Sequence, residues 1–462
     1  MTLRSLIILG ATGDLTRRLL LPALDGVLQQ WQADGRDLQL ELIGAGHSAE
    51  GESDWASALS ESLGDGGTRE AVRESARFEV VDATSTADLR AVIESAAHTP
   101  VLYFALPPAI TEQAIEALSA VELPEGTRLA LEKPFARDAR SAAALNGRLA
   151  EIAPESHVHR VDHFLGKSTV INLLGLRFAN RMFEAVWGAE HIERVEIVYD
   201  EQLALEGRAG YYDQAGALVD MIQSHLLLVL ALIVMEKPSS VDSDDLHEAM
   251  ADALAATRVR DGDALAGSRR ARYTAGTIDG HEIPDYASED GVDPDRQTET
   301  LAELTVEVDA PRWRGVPITL RSGKAIGRPS TAVRLVLRPV DDRPQGLAGD
   351  LPPAEICISL SPEHLAVDLD INGEGDPFDL ERVTLDVDFA GGQLSAYGEV
   401  LAGILEGDDT LSVRGDLAEQ CWRIVDEVLA AWRDGVVPLD EYAAGSDGPS
   451  HWRSPRPANR AD

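Results

Sequence analysis

The spacing of apolar residues changes along the chain, and this change constrains the fold more than any other feature of the sequence. Over roughly the first 160 residues, short apolar runs alternate with stretches that suit helices. After about Glu193, apolar and polar residues alternate one by one, as in the segment 194–199. The first pattern is typical of a parallel sheet covered by helices, and the second of antiparallel strands with one wet face. We therefore predict a doubly wound α/β domain at 1–165, followed by an α+β domain at 166–462 with a large, mainly antiparallel sheet.

The individual elements follow from these two patterns. Short apolar runs are the predicted parallel strands, at 6–9, 38–43, 78–81, 101–105, 128–131 and 157–161. Alternating segments are the predicted antiparallel strands, at 194–199, 304–309, 333–338, 365–371 and 383–389. The notable later helices are predicted at 214–235, 397–405 and 416–432. Segments rich in Pro, Gly and Asp are predicted loops, at 279–294 and 339–353, and the tail after Trp452 is expected to fray.

The charge balance excludes two classes of partner. The chain carries 41 basic and 79 acidic residues, a formal net charge of −38 at pH 7. Such a field repels the phosphates of nucleic acids and the headgroups of anionic membranes, so we expect neither as a partner. The longest apolar run, 226–235, is about half as long as a membrane span and is interpreted as part of a core helix. An anionic substrate must then be held by a few local cationic groups.

The cellular compartment is inferred from the start of the chain and from its cysteines. The chain opens with a strand-like segment and shows no basic and apolar leader. Its two cysteines, Cys357 and Cys421, are too few for a disulfide framework or a four-ligand metal site. We therefore expect a cytoplasmic protein and predict no metal.

Lysine is scarce in this chain, which draws attention to the few positions where it is kept. Genomic base composition is one explanation of the scarcity, and salt adaptation is one explanation of the acidity. In either case, a retained lysine indicates a position where a compact ammonium is not replaceable by a guanidinium fork. The four lysines are Lys133, Lys167, Lys237 and Lys324.

A glycine-containing turn follows the first predicted strand. Gly10-Ala-Thr-Gly13-Asp-Leu15 precedes a helical pattern, where free backbone N–H groups can bind a pyrophosphate. The turn is not a full G-x-G-x-x-G motif, so a plain strand-to-helix connection is the alternative. The end of the second strand, 43–48, includes His47 but neither an acid for a ribose diol nor an arginine for a 2′-phosphate.

A series of longer motifs extends over nearly the whole chain. In order, they are Gly10-Ala-Thr-Gly-Asp-Leu, Ala105-Leu-Pro-Pro, Glu132-Lys-Pro-Phe, Arg160-Val-Asp-His-Phe-Leu-Gly-Lys, Glu206-Gly-Arg-Ala-Gly-Tyr-Tyr-Asp, Asp220-Met-Ile-Gln-Ser-His, Met235-Glu-Lys-Pro, Leu320-Arg-Ser-Gly-Lys and Tyr442-Ala-Ala-Gly-Ser-Asp-Gly-Pro. Together they resemble the glucose-6-phosphate dehydrogenase family, and all four lysines lie within them. The resemblance implies a Rossmann-like NAD(P)-binding domain, an α+β substrate domain, and oxidation of glucose 6-phosphate at C1 to a lactone.

The resemblance implies three catalytic residues. His225 would be the base that takes the C1 hydroxyl proton while hydride leaves for the nicotinamide. Asp162 would hold the imidazole tautomer, and Lys133 would lie near the C1 hydroxyl and the cofactor in a turn that contains a cis peptide. Asp220, five residues before His225, is about 140° away around an α-helix and so is badly placed to orient it. A buried core histidine and a helix N-cap are the alternative interpretations of His225 and Asp162.

The resemblance also implies five substrate-binding residues. His163 and Lys167 are four apart, hence on one helical face, and would grip the 6-phosphate. Lys324, at the end of a strand, would complete that pocket. Glu201 and Asp220 would accept hydrogen bonds from sugar hydroxyls. A solvated pair and ordinary surface acids are the alternative interpretations of these positions.

The implied cofactor is NADP, with NAD or dual use as alternatives. The residues implied in binding it are Gly10, Thr12, Gly13, Asp14, Leu15, His47, Leu106, Pro107 and Lys133. His47 stands where the family has an arginine for the 2′-phosphate, and residues 44–54 contain three acids but no arginine or lysine. We therefore predict a weakened preference for NADP, unless Arg17 or Arg18 reaches across.

Three departures from the family pattern concern the substrate. Phe164 replaces a tyrosine, Pro329 a basic residue and Ser361 a glutamine, with Arg328 next to Pro329 as an alternative cation. Two other functions therefore stay open: a related dehydrogenase of another, even unphosphorylated, sugar, and a catalytically silent nucleotide-binding regulator. The phosphate-binding set argues against an unphosphorylated sugar, and the catalytic set against a silent relative. The resemblance also implies a homodimer or homotetramer.

Overall fold

We describe a computed structural model of the chain over residues 2–36, 38–205, 209–389 and 391–453. Contacts within the chain divide it into two compact units. The first contains Met1–Lys167, Pro238–Ala249 and Gly392–Trp422, and the second contains Ser168–Lys237, Met250–Gly391 and Arg423–Asp462. Both units are discontinuous in sequence, and the predicted domain limit at residue 165 stays a prediction. The expected fraying of the tail at 454–462 and the motif residues 206–208 lie outside the described residues.

The sheet of the first unit is fully parallel, with the strand order β3-β2-β1-β4-β5-β6. Its strands are β1 Thr2–Leu9, β2 Leu38–Gly46, β3 Arg77–Val80, β4 Thr99–Phe104, β5 Arg128–Glu132 and β6 Val158–Val161. The strand order reverses between β1 and β4, which makes the carboxyl ends of these strands a switch point of the kind where open α/β sheets bind ligands. All six predicted parallel strands are present, so the doubly wound sheet is confirmed.

Helices cover both faces of this sheet. The helices of the described residues are α1 Leu21–Ala33, α2 Gly51–Ser62, α3 Gly67–Ser75, α4 Thr86–Glu94, α5 Pro108–Leu118, α6 Ala139–Ile152, α7 Ser168–Ala179, α8 Arg181–Val186, α9 Ala209–Ala217, α10 Leu227–Val234, α11 Ser243–Ala255, α12 Ala264–Gly267, α13 Ala396–Glu406 and α14 Gly415–Arg433. One buried core joins the sheet to α1, α2, α3 and α13, and a second joins it to α4, α5 and α6. The helices predicted at 397–405 and 416–432 are confirmed as α13 and α14.

The second unit is built on a ten-stranded, mainly antiparallel sheet. The strands of this unit are β7 Ile192–Asp200, β8 Thr257–Val259, β9 Ser268–Thr274, β10 Gly276–Ile278, β11 His281–Ile283, β12 Leu301–Val308, β13 Ile318–Gly323, β14 Thr331–Leu337, β15 Glu355–Leu360, β16 Glu363–Asn372, β17 Leu380–Asp388 and β18 Leu439–Ala443. The large sheet has the order β17-β16-β15-β14-β7-β13-β12-β9-β18, with β8 on β12. The pairs β7–β13 and β9–β18 are parallel, a feature that the alternating pattern did not predict.

Two predicted segments differ in detail from the structure. The predicted loop at 279–294 contains strand β11, because β10 and β11 form a hairpin. Its turn residues Asp279 and Gly280 have φ of 49° and 83°, the positive values that a tight two-residue hairpin turn needs. Short 3₁₀ segments also lie there, at Tyr286–Ser288 and just beyond at Pro294–Arg296.

The helix predicted at 214–235 is interrupted. Gly216 has φ of 68°, and the chain continues as a π-helix over Leu218–Leu226 before α10 begins. The Glu299 carboxylate accepts the N–H of Leu218 at 3.0 Å and so replaces a helical partner at the break. The stretch Tyr212–Val234 is long and apolar enough to cross a membrane, but 89% of its most apolar window is buried in the protein. Burial of this kind fits the core helix that the sequence predicts.

Candidate active site

Predicted site residues of the first unit lie at the carboxyl edge of the parallel sheet. In sheet order, the residues at or just after the strand ends are His47, Gly10, Leu106, Lys133 and Asp162. Pro107 follows Leu106 and directly precedes α5. The peptide between Lys133 and the next residue, Pro134, is cis, as predicted. The strands therefore bring the predicted cofactor residues and two of the predicted catalytic residues to one edge.

The turn after β1 leaves backbone donors for a ligand. Gly10 has φ of 91°, and a Cβ there would lie 2.2 Å from the carbonyl oxygen of Ala105. Only glycine therefore allows this close approach to the end of β4. Among the described residues, three N–H groups of this turn donate to no backbone carbonyl: those of Thr12, Asp14 and Leu15. Gly13 donates to the Gly10 carbonyl at 3.0 Å. Free N–H groups at the start of a helix suit the diphosphate of a dinucleotide.

Two of the groups that could bind a 2′-phosphate, His47 and Arg17, lie near acids, and Arg18 is exposed. His47 is exposed at the end of β2. Hydrogen bonds from Thr84 lower the pKa of Asp82, and the charge of His47 lowers it a little more, which places His47 near a carboxylate. Arg17, one of the two arginines that could reach across, binds Glu61 with Nη2 at 2.6 Å from the carboxylate. Each of these two cationic groups therefore has an acid beside it.

The end of β5 carries a carboxyl group with a strongly shifted pKa. Burial raises the pKa of Glu132 to about 7, although hydrogen bonds from Tyr103 and Tyr397 oppose the shift. The charge of Lys133 lowers this pKa, and the charge of Asp162 raises it. The Tyr103 hydroxyl donates to Glu132 Oε1 at 2.6 Å. The predicted catalytic lysine therefore follows a carboxyl group that titrates near neutral pH.

His163 and Lys167 do not lie on a helix. Residues 162–167 form consecutive turns whose hydrogen bonds span three residues. The Asp162 carboxylate accepts the N–H of Phe164 at 3.0 Å, a local bond that competes with helix formation. The predicted shared helical face is therefore wrong.

A group of rings nevertheless brings these two side chains together. The ring centroid of Phe164 is 5.2 Å from that of His163, and Lys167 Nζ lies 4.7 Å from the Phe164 centroid. The His163 ring also stacks on Tyr397 of α13, with centroids 5.1 Å apart and planes 12° apart. A lysine and an imidazole therefore lie on one buried phenyl ring, directly after the buried Asp162.

In the second unit, strand register places Glu201 next to Lys324. Strands β7 and β13 are parallel and pair Asp200 with Gly323, so the residue after each strand meets its counterpart. Lys324 Nζ donates to Glu201 Oε2 at 2.5 Å, and the lysine is 5% exposed. Because an ammonium has three donors, this pair can still donate to a ligand.

The π-helical segment carries Asp220 and His225. His225 is 1% exposed, and Asp220 is partly exposed. Hydrogen bonds of a π-helix join residues five apart, so the angle of about 140° expected between Asp220 and His225 on an α-helix does not apply here. The argument from that angle against Asp220 as the orienting group therefore no longer holds. Burial raises the pKa of Tyr212 well above its ordinary value, and the charge of Asp220 raises it further, with a smaller contribution from Glu201.

Two further departures from the family pattern concern Pro329 and Ser361. Arg328, the alternative cation next to Pro329, donates from Nε to Asp447 at 3.0 Å, so an acid lies beside its charge. Ser361 lies at the turn between β15 and β16, where its carbonyl accepts the Thr331 hydroxyl at 2.6 Å.

Sequence reasoning missed three residues of these groups. Glu132 and Tyr212 stand inside the motifs, and Glu132 directly precedes Lys133, so their position was a usable signal. Tyr397 gave no such signal, because it opens an ordinary amphipathic helix far along the sequence from His163. Only the folded chain shows that these two rings stack.

Two family models together match almost the whole chain. The model described as glucose-6-phosphate dehydrogenase, NAD binding domain, matches residues 7–172, and the C-terminal domain model matches 174–455. The chain belongs to the glucose-6-phosphate dehydrogenase family. The glucose-6-phosphate 1-dehydrogenase of Gluconobacter oxydans strain 621H is 36% identical over 469 residues, which cover 96% of this chain and 94% of that protein. The enzyme of the same name from Treponema pallidum strain Nichols is 35% identical over 96% of this chain and 92% of its own.

Solved structures of the family share the fold. Glucose-6-phosphate 1-dehydrogenase from Mycobacterium avium has a TM-score of 0.84 and 30% identity over 98% of this chain and 99% of its own. A glucose-6-phosphate dehydrogenase solved in complex with its substrate glucose-6-phosphate has a TM-score of 0.85 and 27% identity over 97% of this chain and 96% of its own. The chain is an oxidoreductase of the glucose-6-phosphate dehydrogenase family with a Rossmann-like, nicotinamide-nucleotide-binding domain.

Proposed function

We propose that the protein oxidises glucose 6-phosphate at C1 to 6-phosphogluconolactone, the first step of the oxidative pentose phosphate pathway. The observation that carries this proposal is the position of His163 and Lys167 together on Phe164, in a chain of net charge −38. A phosphorylated sugar gives a reason to gather cationic groups at this edge, and a free sugar does not. Lys324, held beside Glu201, is kept as a predicted further cation.

The proposed reaction takes a hydroxyl proton and a C1 hydride from the sugar. The nicotinamide, when bound, accepts the hydride. His225 takes the proton, and because it is 1% exposed, bulk water does not compete for its ring. Four assignments stay predictions: Asp162 as the orienting carboxylate, Lys133 beside the C1 hydroxyl, and Glu201 and Asp220 as acceptors for sugar hydroxyls.

For the cofactor, we propose NADP with a weakened preference, so that NAD is also used. The free N–H groups of the turn after Gly10 suit the diphosphate that both dinucleotides share. What would favour NADP is a cation for the 2′-phosphate, and here His47 has Asp82 nearby while Arg17 is bound to Glu61. An acid beside each cation reduces the attraction for a phosphate dianion.

A cofactor-reduction assay tests substrate and cofactor together. The purified protein is given glucose 6-phosphate, fructose 6-phosphate or glucose, each with NAD and with NADP. We expect the highest kcat/KM with glucose 6-phosphate, turnover with both cofactors, and a shift toward NADP in His47→Arg. Lack of turnover with glucose 6-phosphate would contradict the proposed substrate. A preference for NADP above about a hundredfold, or roughly 2.7 kcal/mol, would contradict the cofactor proposal alone.

We also propose that the protein is a homo-oligomer, a dimer or a tetramer. Strand β17 is the outermost strand of the large sheet, and its cross-strand pairs with β16 form an apolar face. The apolar residues of this face are Leu365, Val367, Leu369, Ile371, Val383, Leu385 and Val387, and Glu381 lies at its end, opposite Ile371. Leu385 is 59% exposed and Val387 is 50% exposed. Contiguous apolar surface on an edge strand is typical of an association site, and a second copy is the proposed occupant.

The cytoplasm is the proposed location. Cys357 and Cys421 are both buried, and they form no disulfide among the described residues. Two cysteines outside any disulfide fit a compartment that keeps thiols reduced.

A further inference from the structure

Lys324 is a buried lysine of the second unit whose ammonium has two different neighbours. The residue is 5% exposed, and its Nζ lies 2.5 Å from Oε2 of Glu201. Nζ also lies over the ring of Tyr212, 5.3 Å from the centroid, which is within the distance of about 6 Å at which an aromatic face attracts a cation. The ammonium is therefore held from two sides, by a carboxylate and by an aromatic face.

Backbone hydrogen bonds fix the position of Lys324 in the fold. Its N–H donates to the carbonyl of Thr300 at 2.9 Å, and its carbonyl accepts the Tyr442 hydroxyl at 2.7 Å. The next residue, Ala325, has φ of 53°, a left-handed value that costs energy for a residue with a side chain. The Ala325 N–H donates to the carbonyl of Leu203 at 3.1 Å, which helps to hold this conformation. A strained backbone that its surroundings keep in place is typical of a functional position.

Tyr212 is also held in place by its surroundings. It lies in α9, is 4% exposed and packs in one buried core with Ala325. The next residue, Asp213, accepts hydrogen bonds from the Tyr286 hydroxyl at 2.8 Å and from the N–H of Asp293 at 3.0 Å. Burial raises the pKa of the Tyr212 hydroxyl well above its ordinary value, so the side chain stays a neutral phenol. The ring beside the ammonium is therefore both fixed and uncharged.

A lysine side chain needs a second contact of this kind to be oriented. Its flexible stem has several rotatable bonds, so an ion pair with the partly exposed Glu201 alone leaves the direction of the other N–H groups open. An aromatic ring restricts the ammonium without taking a hydrogen-bond donor from it. A second carboxylate in the same place would cancel the positive charge that attracts a phosphate. An uncharged ring therefore suits a lysine that has to bind an anion.

We propose that Tyr212 is a positioning residue for substrate binding, whose ring holds the Lys324 ammonium in the direction that meets the 6-phosphate of the sugar. This inference rests on the proposed function, because it takes the substrate to be phosphorylated. The Tyr212 hydroxyl is not needed for the role, since the attraction comes from the face of the ring. Lys324 contacts the phosphate, and Tyr212 acts through it.

Steady-state kinetics of the full chain with glucose 6-phosphate separate the ring from the hydroxyl. Tyr212→Leu removes the aromatic face and should raise KM about five- to thirtyfold, while kcat stays within about threefold. Tyr212→Phe keeps the face and should keep KM within about twofold of the unmodified chain. Inorganic phosphate, used as a competitor of the sugar phosphate, should show the same rise in Ki in Tyr212→Leu.

Fluorination of the ring tests the electrostatic attraction itself. Fluorine atoms withdraw electron density from the face of the ring with little change in its size, so the ring attracts a cation less strongly. Tyr212→Phe variants whose ring carries one, two and three fluorines should therefore raise KM step by step. A role in packing alone would give no such order, because the shape of the ring hardly changes.

Two further variants show whether Tyr212 acts through the lysine. In the Lys324→Gln background, Tyr212→Leu should raise KM by no more than about twofold, because the cation that the ring would hold is gone. Tyr273→Leu is the matched control, since it truncates another tyrosine of the same buried core, whose ring packs on Tyr286 and Tyr442. That variant should lose stability but keep both KM and the Ki of phosphate.

Five results would overturn the assignment. They are an unchanged KM in Tyr212→Leu, an equal KM rise in Tyr212→Phe and Tyr212→Leu, no order in the fluorinated series, a full effect of Tyr212→Leu in the Lys324→Gln background, and the same KM rise in Tyr273→Leu. In each of these cases the unmodified chain still oxidises glucose 6-phosphate, so the proposed function stands. An unmodified chain without that activity would contradict the proposed function, and the assignment with it.

Discussion

Among single residues, Glu132 has a side chain whose charge state depends strongly on its surroundings. Its carboxyl group accepts a hydrogen bond from Tyr103 and is followed in the chain by Lys133. Burial still dominates and raises its pKa to about 7. The charge beside the predicted catalytic lysine therefore changes near pH 7, which gives this residue a measurable signature.

That signature is a dependence of the free energy of unfolding on pH. Folding raises the Glu132 pKa above its ordinary 4.5, so the folded state favours the protonated form. The contribution to the free energy of unfolding is then full below about pH 4.5 and is lost as pH rises through about 7. In the unmodified protein this group should make the free energy of unfolding fall by about 2 to 3 kcal/mol between about pH 4.5 and 7, and Glu132→Gln should remove that fall. Denaturant unfolding at several pH values measures it. An unchanged slope, equal to that of the exposed control Glu116→Gln, would contradict the shift.

His225 is the residue on which the proposed chemistry depends most. If it takes the C1 proton, His225→Asn should lower kcat by about 10² to 10⁴ and leave KM within a few-fold, since the loss falls in the transition state. The exposed His451→Asn is the control and should keep wild-type kcat. Steady-state kinetics with glucose 6-phosphate measure both. A variant that retains more than about a tenth of kcat would remove His225 from the mechanism.

Part of the site could be predicted from residues close together in sequence. Lys133 in a cis-proline turn and the strand ends that carry Gly10 and Asp162 follow from local patterns, because such patterns report on the backbone nearby. The stacking of Tyr397 on His163 joins distant segments, and no local pattern encodes it. Scarce lysine was also an imperfect guide, since Lys237 is an exposed residue.

Among the elements, the break before the π-helix decides where His225 stands. Gly216 adopts φ of 68°, and Glu299, far later in the sequence, accepts the Leu218 N–H. Apolar periodicity predicts the helices and strands around it well, because burial on one face repeats along a regular element. It cannot predict a break that depends on a distant carboxylate. The predicted 214–235 helix was therefore correct in extent and wrong in continuity.

Gly216→Ala tests this break. A Cβ at this position would lie 2.4 Å from Glu299 Oε1 and would force a side chain into a positive φ. We expect a loss of at least about 2 kcal/mol in the free energy of unfolding, measured by denaturant titration, together with a lower kcat. Gly175→Ala is the matched control, because its Cβ would meet nothing within 4 Å in α7. That change should be neutral or stabilising by up to about 1 kcal/mol, and equal effects of both changes would contradict the account of the break.

At the scale of the whole molecule, substitutions on the apolar face of β16 and β17 test the proposed oligomer. Leu385→Asp combined with Val387→Asp places two charges on that face and should reduce the mass from a multiple of 49.7 kDa to 49.7 kDa. Light scattering after size-exclusion chromatography measures this mass. Val241→Asp changes a valine that is 65% exposed elsewhere and should leave the assembly intact. A monomer in the unmodified protein, or an unchanged assembly in the double variant, would contradict the proposed face.

The central claim is that a few cationic side chains hold a phosphorylated substrate in a chain of net charge −38, whose field repels phosphate. The most direct test compares KM for glucose 6-phosphate with activity on free glucose in the unmodified protein and in Lys167→Ala, with the exposed Lys237→Ala as control. A charge-assisted hydrogen bond contributes roughly 1.5 to 3 kcal/mol, so Lys167→Ala should raise KM for glucose 6-phosphate about ten- to a hundredfold. Activity on glucose should barely change, since glucose has no phosphate. Equal impairment on both sugars would contradict the account and place the anionic end of the substrate elsewhere.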